Sequence, residues 1–181
     1  MAGFRTCNGP DSLLRDHLQL FTSGLKQLPI LDLACGDGHN GIFLVRKGFQ
    51  VVFADRSEEA LERVKKWAET ENRTVTVWRI DLEAGCSDPL SGRTFSAILV
   101  FRYLHRPLIP AIRDALASGG LLFYETFTEQ QTRFGKPANP DHLLKPGELR
   151  SWFHDWEILH TFEGIVNQPP KAVAQLVCRK P

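Results

Sequence analysis

The sequence carries no excess of charge of either sign: 22 Lys and Arg stand against 21 Asp and Glu, a formal net charge of +1. A chain this balanced lacks the basic field that grips a phosphate backbone, so nucleic acid is not an expected partner. Its four cysteines, Cys7, Cys35, Cys86 and Cys178, include no C-x-x-C pair. With no histidine cluster to complete a ligand set, no metal site is expected, and the thiols read as free groups in a reducing compartment. No apolar run approaches the ~18 residues of a membrane span. The opening MAGFRTCNGPD lacks the apolar core of an export signal. A cytoplasmic protein is therefore expected, without internal repeats or low-complexity tracts.

What is present alternates. The 181 residues are enough for one domain, read here as 1–181, with a helical segment over 1–28. Asp11 can cap a first helix whose Leu14, His17, Leu18 and Phe21 share a face. Short apolar strands follow at 29–34, 50–55 (QVVFAD), 74–81 (TVTVWRID), 95–104 (FSAILVFRYL) and 120–127 (GLLFYETF). Between them lie helices over 38–46, from Ser57 onward, and over 107–118 with Gly119 beyond its end. Residues 128–147 form a long Pro/Gly-rich loop, and long loops in compact domains tend to be functional. A helix over 147–154 and two strands close the chain. Repeated strand–helix alternation means an α/β fold, a parallel sheet with helices on both faces. Ligands of such sheets bind beyond the carboxyl ends of the strands, where the strand order switches. Gly36, Asp55, Asp81, Arg102 and Glu125 all fall at that rim.

The stretch LDLACGDGHN sets Gly36, Gly38 and Gly41 at the G-x-G-x-x-G spacing of a dinucleotide site. Asp32, inside the strand that delivers this loop, speaks against a pyrophosphate: two like charges about 5 Å apart cost several kcal/mol at an effective dielectric of ~20. A cationic ligand reverses the sign. S-adenosyl-L-methionine carries a sulfonium and an ammonium and no phosphate. Asp32 can attract the ammonium, Asp55 can accept from both ribose hydroxyls, and Asp81 can take the adenine amino group. Each has a structural alternative: loop N–H groups for Asp32, a turn for Asp55, a helix cap for Asp81.

DLACGDGHN followed by VVFADRS resembles the first two motifs of class I S-adenosyl-L-methionine-dependent methyltransferases. IDL at 80–82, FSAILVFRYLH and LASGGLLFYETF resemble that family's later strand motifs. The D-x-x-C-G-x-G-x-N pattern and LLKPGELRSWFHDWEIL are similar to the tellurite-resistance (TehB-like) group. The resemblance implies a Rossmann-like class I methyltransferase fold: a mostly parallel seven-stranded sheet, order 3-2-1-4-5-7-6, with the last strand antiparallel. It implies S-adenosyl-L-methionine as cofactor and S-adenosyl-L-homocysteine as product. Carried over by position, it gives a cofactor set of Asp32, Gly36, Gly38, Asn40, Asp55, Arg56, Asp81, Leu82 and Phe101.

A small, anionic acceptor is expected over the exits of the fourth and fifth strands, in a monomer or weak homodimer. Arg102, His105 and Glu125 are the candidate catalytic residues. Tyr103, Arg106, Phe127, Arg133 and Asn139 lie nearby in sequence, and Arg106 could join Arg102 in clamping an anion. Glu125 could accept a proton, hold an amine or pair with a neighbouring arginine. Asn-Gln-Pro-Pro at 167–170 reads as a turn between the last strands, since Lys171 supplies no aromatic for an amino-methylating motif. A non-catalytic nucleotide-binding protein and a nucleic-acid or protein methyltransferase remain alternatives.

Overall fold

The computed structural model describes residues 9–85, 88–167 and 169–181. Its strands are β1 (Ile30–Leu33), β2 (Val51–Asp55), β3 (Thr76–Arg79), β4 (Phe95–Phe101), β5 (Leu116–Phe127), β6 (Glu157–Val166) and β7 (Lys171–Arg179). They form one seven-stranded sheet in the expected order β3-β2-β1-β4-β5-β7-β6. β1 to β5 pair in parallel, while β7 is antiparallel to both β5 and β6. The strand order reverses between β1 and β4, which opens a crevice at their carboxyl ends.

β1 and β4 are buried at every residue, as unbroken apolar strands in the middle of a covered sheet should be. Alternation along the strands builds a core on each face. Ile30, Phe53, Leu99 and Phe123 pack beneath α1 (Ser12–Asp16), α2 (His39–Arg46) and α3 (Glu58–Thr70). Leu31, Val52, Ile98 and Tyr124 pack beneath α4 (Ile109–Ala115) and α5 (Glu148–Ser151). Ser57 caps α3 by accepting the Ala60 N–H at 3.2 Å, and Leu61, Val64, Trp67 and Ala68 are its buried stripe.

Three helices are shorter than the sequence suggests: α1, α4, and α5, which spans Glu148–Ser151 and not 147–154. α1 ends at Asp16 because the His17 side chain, with Nδ1 2.9 Å from the Leu13 carbonyl, occupies the acceptor the next turn needs. The chain continues as 3-10 turns at Leu18–Leu20 and Ser23–Gln27. α4 ends at Ala115, not Ser118, and Leu116 already pairs with Phe95 as the start of β5. Lys180 Nζ donates to the carbonyls of Arg113 and Leu116 at 2.6 and 2.7 Å, so a distant cation satisfies the end of the helix.

Asn167, Pro169 and Pro170 fall between β6 and β7 as expected; Gln168, Cys7 and Cys86 lie outside the described residues. Cys35 and Cys178 are free and buried. Among the described residues no helix is long and apolar enough to cross a membrane.

Candidate active site

The site begins where β1 ends. Ala34 and Gly36 both have φ of 52°, and Gly38, at 72°, leads into α2. A Cβ on Gly38 would stand 2.8 Å from Val64 Cγ2, and one on Gly41 would overlap the Phe53 ring, so these glycines let α2 sit close against β2 and α3. Asp55, at the tip of β2, ties the turn together: Oδ2 accepts the Gly36 N–H and Oδ1 the Ser57 N–H, each at 2.8 Å. At the tip of β4, Arg102 is also left-handed (φ 57°), with its N–H donated to the Glu125 carbonyl at 2.8 Å. Ala34 and Arg102 are two of only three described non-glycine residues at positive φ. Such strain persists where the surroundings impose it, and here it marks adjacent strand tips at the switch point.

A cavity of about 560 Å³ opens over these tips. Asp55, Arg56, Asp81 and Leu82, from the ends of β2 and β3, line one end. Arg102, Tyr103, Thr126 and Phe127 line the other, joined by Lys136, Pro137 and His142 from the 128–147 loop. Glu83 also lines it, and accepts from the Tyr103 hydroxyl at 3.3 Å. Burial, with the Glu83 carboxylate beside it, raises the Tyr103 pKa well above the usual phenol value. Five of the expected residues (Asp55, Arg56, Asp81, Leu82 and Arg102) therefore share one cavity. Gly36 and Gly38 form the turn beside it.

The other expected residues do not line the cavity. Asp32 does not line the cavity: it is 3% exposed, and its Oδ2 accepts the Gly41 N–H at 2.9 Å. Burial pushes its pKa up to about 7, against the opposing pull of the Gly41 N–H. Asn40 exchanges hydrogen bonds with Asp11, donating from Nδ2 and accepting the Asp11 N–H, both at 2.9 Å. Phe101 is buried in the apolar layer under α1 to α3. His105 precedes the 3-10 turn Arg106–Leu108 and is not part of the cavity wall. Arg106 is no free clamp. Its guanidinium holds both Glu148 oxygens, at 2.7 and 2.9 Å, and the carbonyls of Asp141 and Leu143, at 2.9 and 2.8 Å.

Glu125 is 1% exposed and pairs with a lysine, not an arginine. Lys171 Nζ donates to it at 2.5 Å and Gln175 Nε2 at 2.6 Å. The antiparallel register that sets Glu125 opposite Gln175 brings these β7 side chains to it.

Sequence reasoning also missed Asp11 as a tether. Its carboxylate meets His39 Nε2 at 2.8 Å, Asn40 Nδ2 at 2.9 Å and Arg102 Nη1 at 3.2 Å. Burial acts to raise its pKa, but the His39 hydrogen bond and the Arg102 charge win and hold it at about 2. Lys136 and His142 were passed over too, although the length of their loop had marked it. Among the described residues no group of three or more His, Cys, Asp or Glu could hold a metal ion.

The acceptor set fits a nucleoside-bearing cation. A carboxylate has roughly four lone-pair positions. Asp55 spends two on backbone N–H groups, and Asp81 spends one on the Glu83 N–H at 3.0 Å, leaving acceptors for hydroxyl and amino groups.

A family model described as "Methyltransferase domain" matches residues 30–120. "Hemagglutinin 1" of Eikenella corrodens is 28% identical over 138 residues, covering 75% of this chain and 46% of that protein. "Probable S-adenosyl-L-methionine-dependent methyltransferase TehB" of Haemophilus influenzae is 25% identical over 141 residues, covering 75% and 48%. The chain thus spans about half the length of these curated relatives. The crystal structure of TehB from Haemophilus influenzae superposes with a TM-score of 0.75 at 20% identity, over 93% of this chain and 61% of that one.

Proposed function

The chain belongs to the methyltransferase domain family, and on that premise we propose that it transfers a methyl group from S-adenosyl-L-methionine to a small anionic molecule. The observation that carries this reading is the cavity at the switch point, with carboxylates at the tips of β2 and β3 facing strained turns at β1 and β4.

S-adenosyl-L-methionine, when bound, supplies an electrophilic methyl on a positive sulfur. Asp55 then accepts from the ribose hydroxyls while keeping the Gly36 and Ser57 N–H groups. Asp81 and Leu82 hold the adenine, with Arg56 beside it. Asp32, buried beneath the loop, biases the site by charge. A pyrophosphate resting on this turn would drive its carboxyl toward the protonated form, whereas a nearby sulfonium and ammonium favour the ionised form. Methyl transfer is an in-line displacement, for which the protein mainly aligns the partners and excludes water. The 128–147 loop, Tyr103 and Phe127 cover the exits of β4 and β5, where the acceptor would approach.

Thermal unfolding with added ligand tests the reading. S-adenosyl-L-homocysteine at 100 times its dissociation constant should stabilise the protein by about 2.7 kcal/mol, and NAD should not. Stabilisation by NAD alone would overturn it.

A further inference from the structure

Charge is unevenly divided along the cavity. Asp55, Asp81 and Glu83, with Arg56 among them, lie toward the β2 and β3 tips, while Lys136 and His142 enter from the loop at the other end. Arg102 shares that basic end but is committed to Asp11. Neither the Lys136 ammonium nor the His142 ring has an internal hydrogen-bond or ion-pair partner among the described residues. The backbone around them, in contrast, is held by side chains. Gln131, 5% exposed, donates from Nε2 to the Lys136 carbonyl at 3.1 Å and accepts the β7 amide of Ala172 at 2.9 Å. Arg106 holds the carbonyls of Asp141 and Leu143, on either side of His142, at 2.9 and 2.8 Å. Arg106 is itself fixed by Glu148.

Two side chains, Gln131 and Arg106, hold the middle of the loop, one on Lys136 itself and the other on the two neighbours of His142. The anchors thus steady the stretches that bring an ammonium and an imidazole to the cavity wall. Functional side chains on loops work when a rigid support positions them. We propose that Lys136 and His142 form an anion subsite that holds a carboxylate or comparable oxyanion of the methyl acceptor; this deepens, and rests on, the methyl-transfer reading above. The chemistry suits such a group. An ammonium and an imidazole N–H supply two donors to one anionic group, and the imidazole keeps an N–H in either protonation state. An anionic acceptor would also be attracted by the positive sulfur of the cofactor, which aids its approach.

The test is calorimetric titration of the full chain, saturated with S-adenosyl-L-homocysteine, by malonate, by inorganic phosphate and by uncharged malonamide. Saturable binding of malonate, of phosphate or of both is expected, with no binding of malonamide; which anion binds tells carboxylate from oxyanion preference. The same titration followed by NMR should move the His142 ring signals, identified by their loss in His142→Gln. Lys136→Gln and His142→Gln should each weaken the anion about tenfold. Lys145→Gln, on the same loop but outside the cavity wall, should not. A protein that binds S-adenosyl-L-homocysteine but neither anion overturns the subsite and leaves the methyltransferase reading standing. Anion binding unaffected by both cavity substitutions overturns it equally. If S-adenosyl-L-homocysteine itself does not bind, the parent reading fails instead, and malonate and phosphate titrated into the ligand-free protein still decide whether the anion end exists.

Discussion

Arg102, at the tip of β4, donates from Nη1 to Asp11 Oδ1 at 3.2 Å, across 91 positions of sequence. Nη2 of the same guanidinium lies 3.1 Å from His39 Nε2, which also stands 2.8 Å from Asp11 Oδ2. One ring nitrogen cannot donate to the carboxylate and accept from the guanidinium together. When His39 donates to Asp11, an Arg102 N–H facing it is left poorly satisfied. The latch therefore fixes Arg102 beside the cavity.

Replacing Asp11 tests the latch. Asp11→Ala leaves Arg102, His39 and Asn40 without their shared acceptor and should cost about 1–3 kcal/mol, read from urea unfolding. The folded pKa of about 2 lies below the ordinary 3.8, so the stabilisation from this carboxylate is complete above the unfolded value. It fades as pH falls through about 2. The difference between native protein and variant should accordingly narrow between pH 5 and pH 3. A difference that widened there would assign the stabilisation to another group.

Asp55 carries the clearest cofactor prediction. Asp55→Ala should weaken S-adenosyl-L-homocysteine by about 1.5–3 kcal/mol, a tenfold loss or more by calorimetry. Part of that loss comes from the Gly36 turn, whose N–H the carboxylate holds. Asp55→Asn, which keeps acceptor capacity, should recover some of the affinity. Unchanged binding in the alanine variant would remove Asp55 from the ribose site.

The parts of this site legible in the sequence are those that depend on local pattern. Apolar runs ending in Gly36, Asp55 and Asp81 located the rim, because strand ends and turn chemistry are written within a few residues. The partners that redirect side chains were hidden. Nothing near Glu125 announces Lys171, which reaches it only through antiparallel pairing 46 residues later. Nothing near Arg106 announces Glu148, 42 residues on. The same distance effect shortened α4, where Lys180 supplies the cap. Asp32 looked like a ligand group because its strand position is local information, whereas its burial under Gly41 depends on how α2 packs.

Glu125 is therefore expected to act on stability first. Glu125→Ala removes the carboxylate that faces Lys171 and Gln175; Glu125 is buried but Lys171 is 25% exposed, so the loss should cost about 1–3 kcal/mol. Glu125→Leu combined with Lys171→Met should recover most of the loss, because no buried charge is then left unmatched. Thermal unfolding of the three variants decides the point. A Glu125→Ala protein as stable as the native one would return this carboxylate to the list of catalytic candidates.

Arg106 should govern the order of the 128–147 loop. Arg106→Ala frees the Asp141 and Leu143 carbonyls and the Glu148 carboxylate together. Within the loop, Lys136 and Lys145 each precede proline, so Arg133–Phe134 is the bond open to trypsin. Cleavage there should accelerate severalfold in the variant, since proteolysis samples local opening. The affinity for S-adenosyl-L-homocysteine should hold, because Arg106 does not line the cavity. An unchanged cleavage rate would show that the loop is held by other contacts.

Asp32 offers the sharpest electrostatic test. Burial outweighs the single Gly41 N–H and pushes its pKa to about 7, above the ordinary 3.8. The folded protein then binds this proton more tightly than the unfolded chain. Stability from this group declines as pH rises from about 4 through about 7, a decline that Asp32→Asn should abolish. Binding of a ligand with an ammonium near the loop reverses the balance by favouring the ionised carboxylate. S-adenosyl-L-homocysteine should release protons on binding near pH 6.5 and bind more tightly as the pH approaches 7. Calorimetry in two buffers of different ionisation enthalpy measures the proton count directly. Proton uptake would mean that the turn receives negative charge, and the preference for a cation over a pyrophosphate would fall with it.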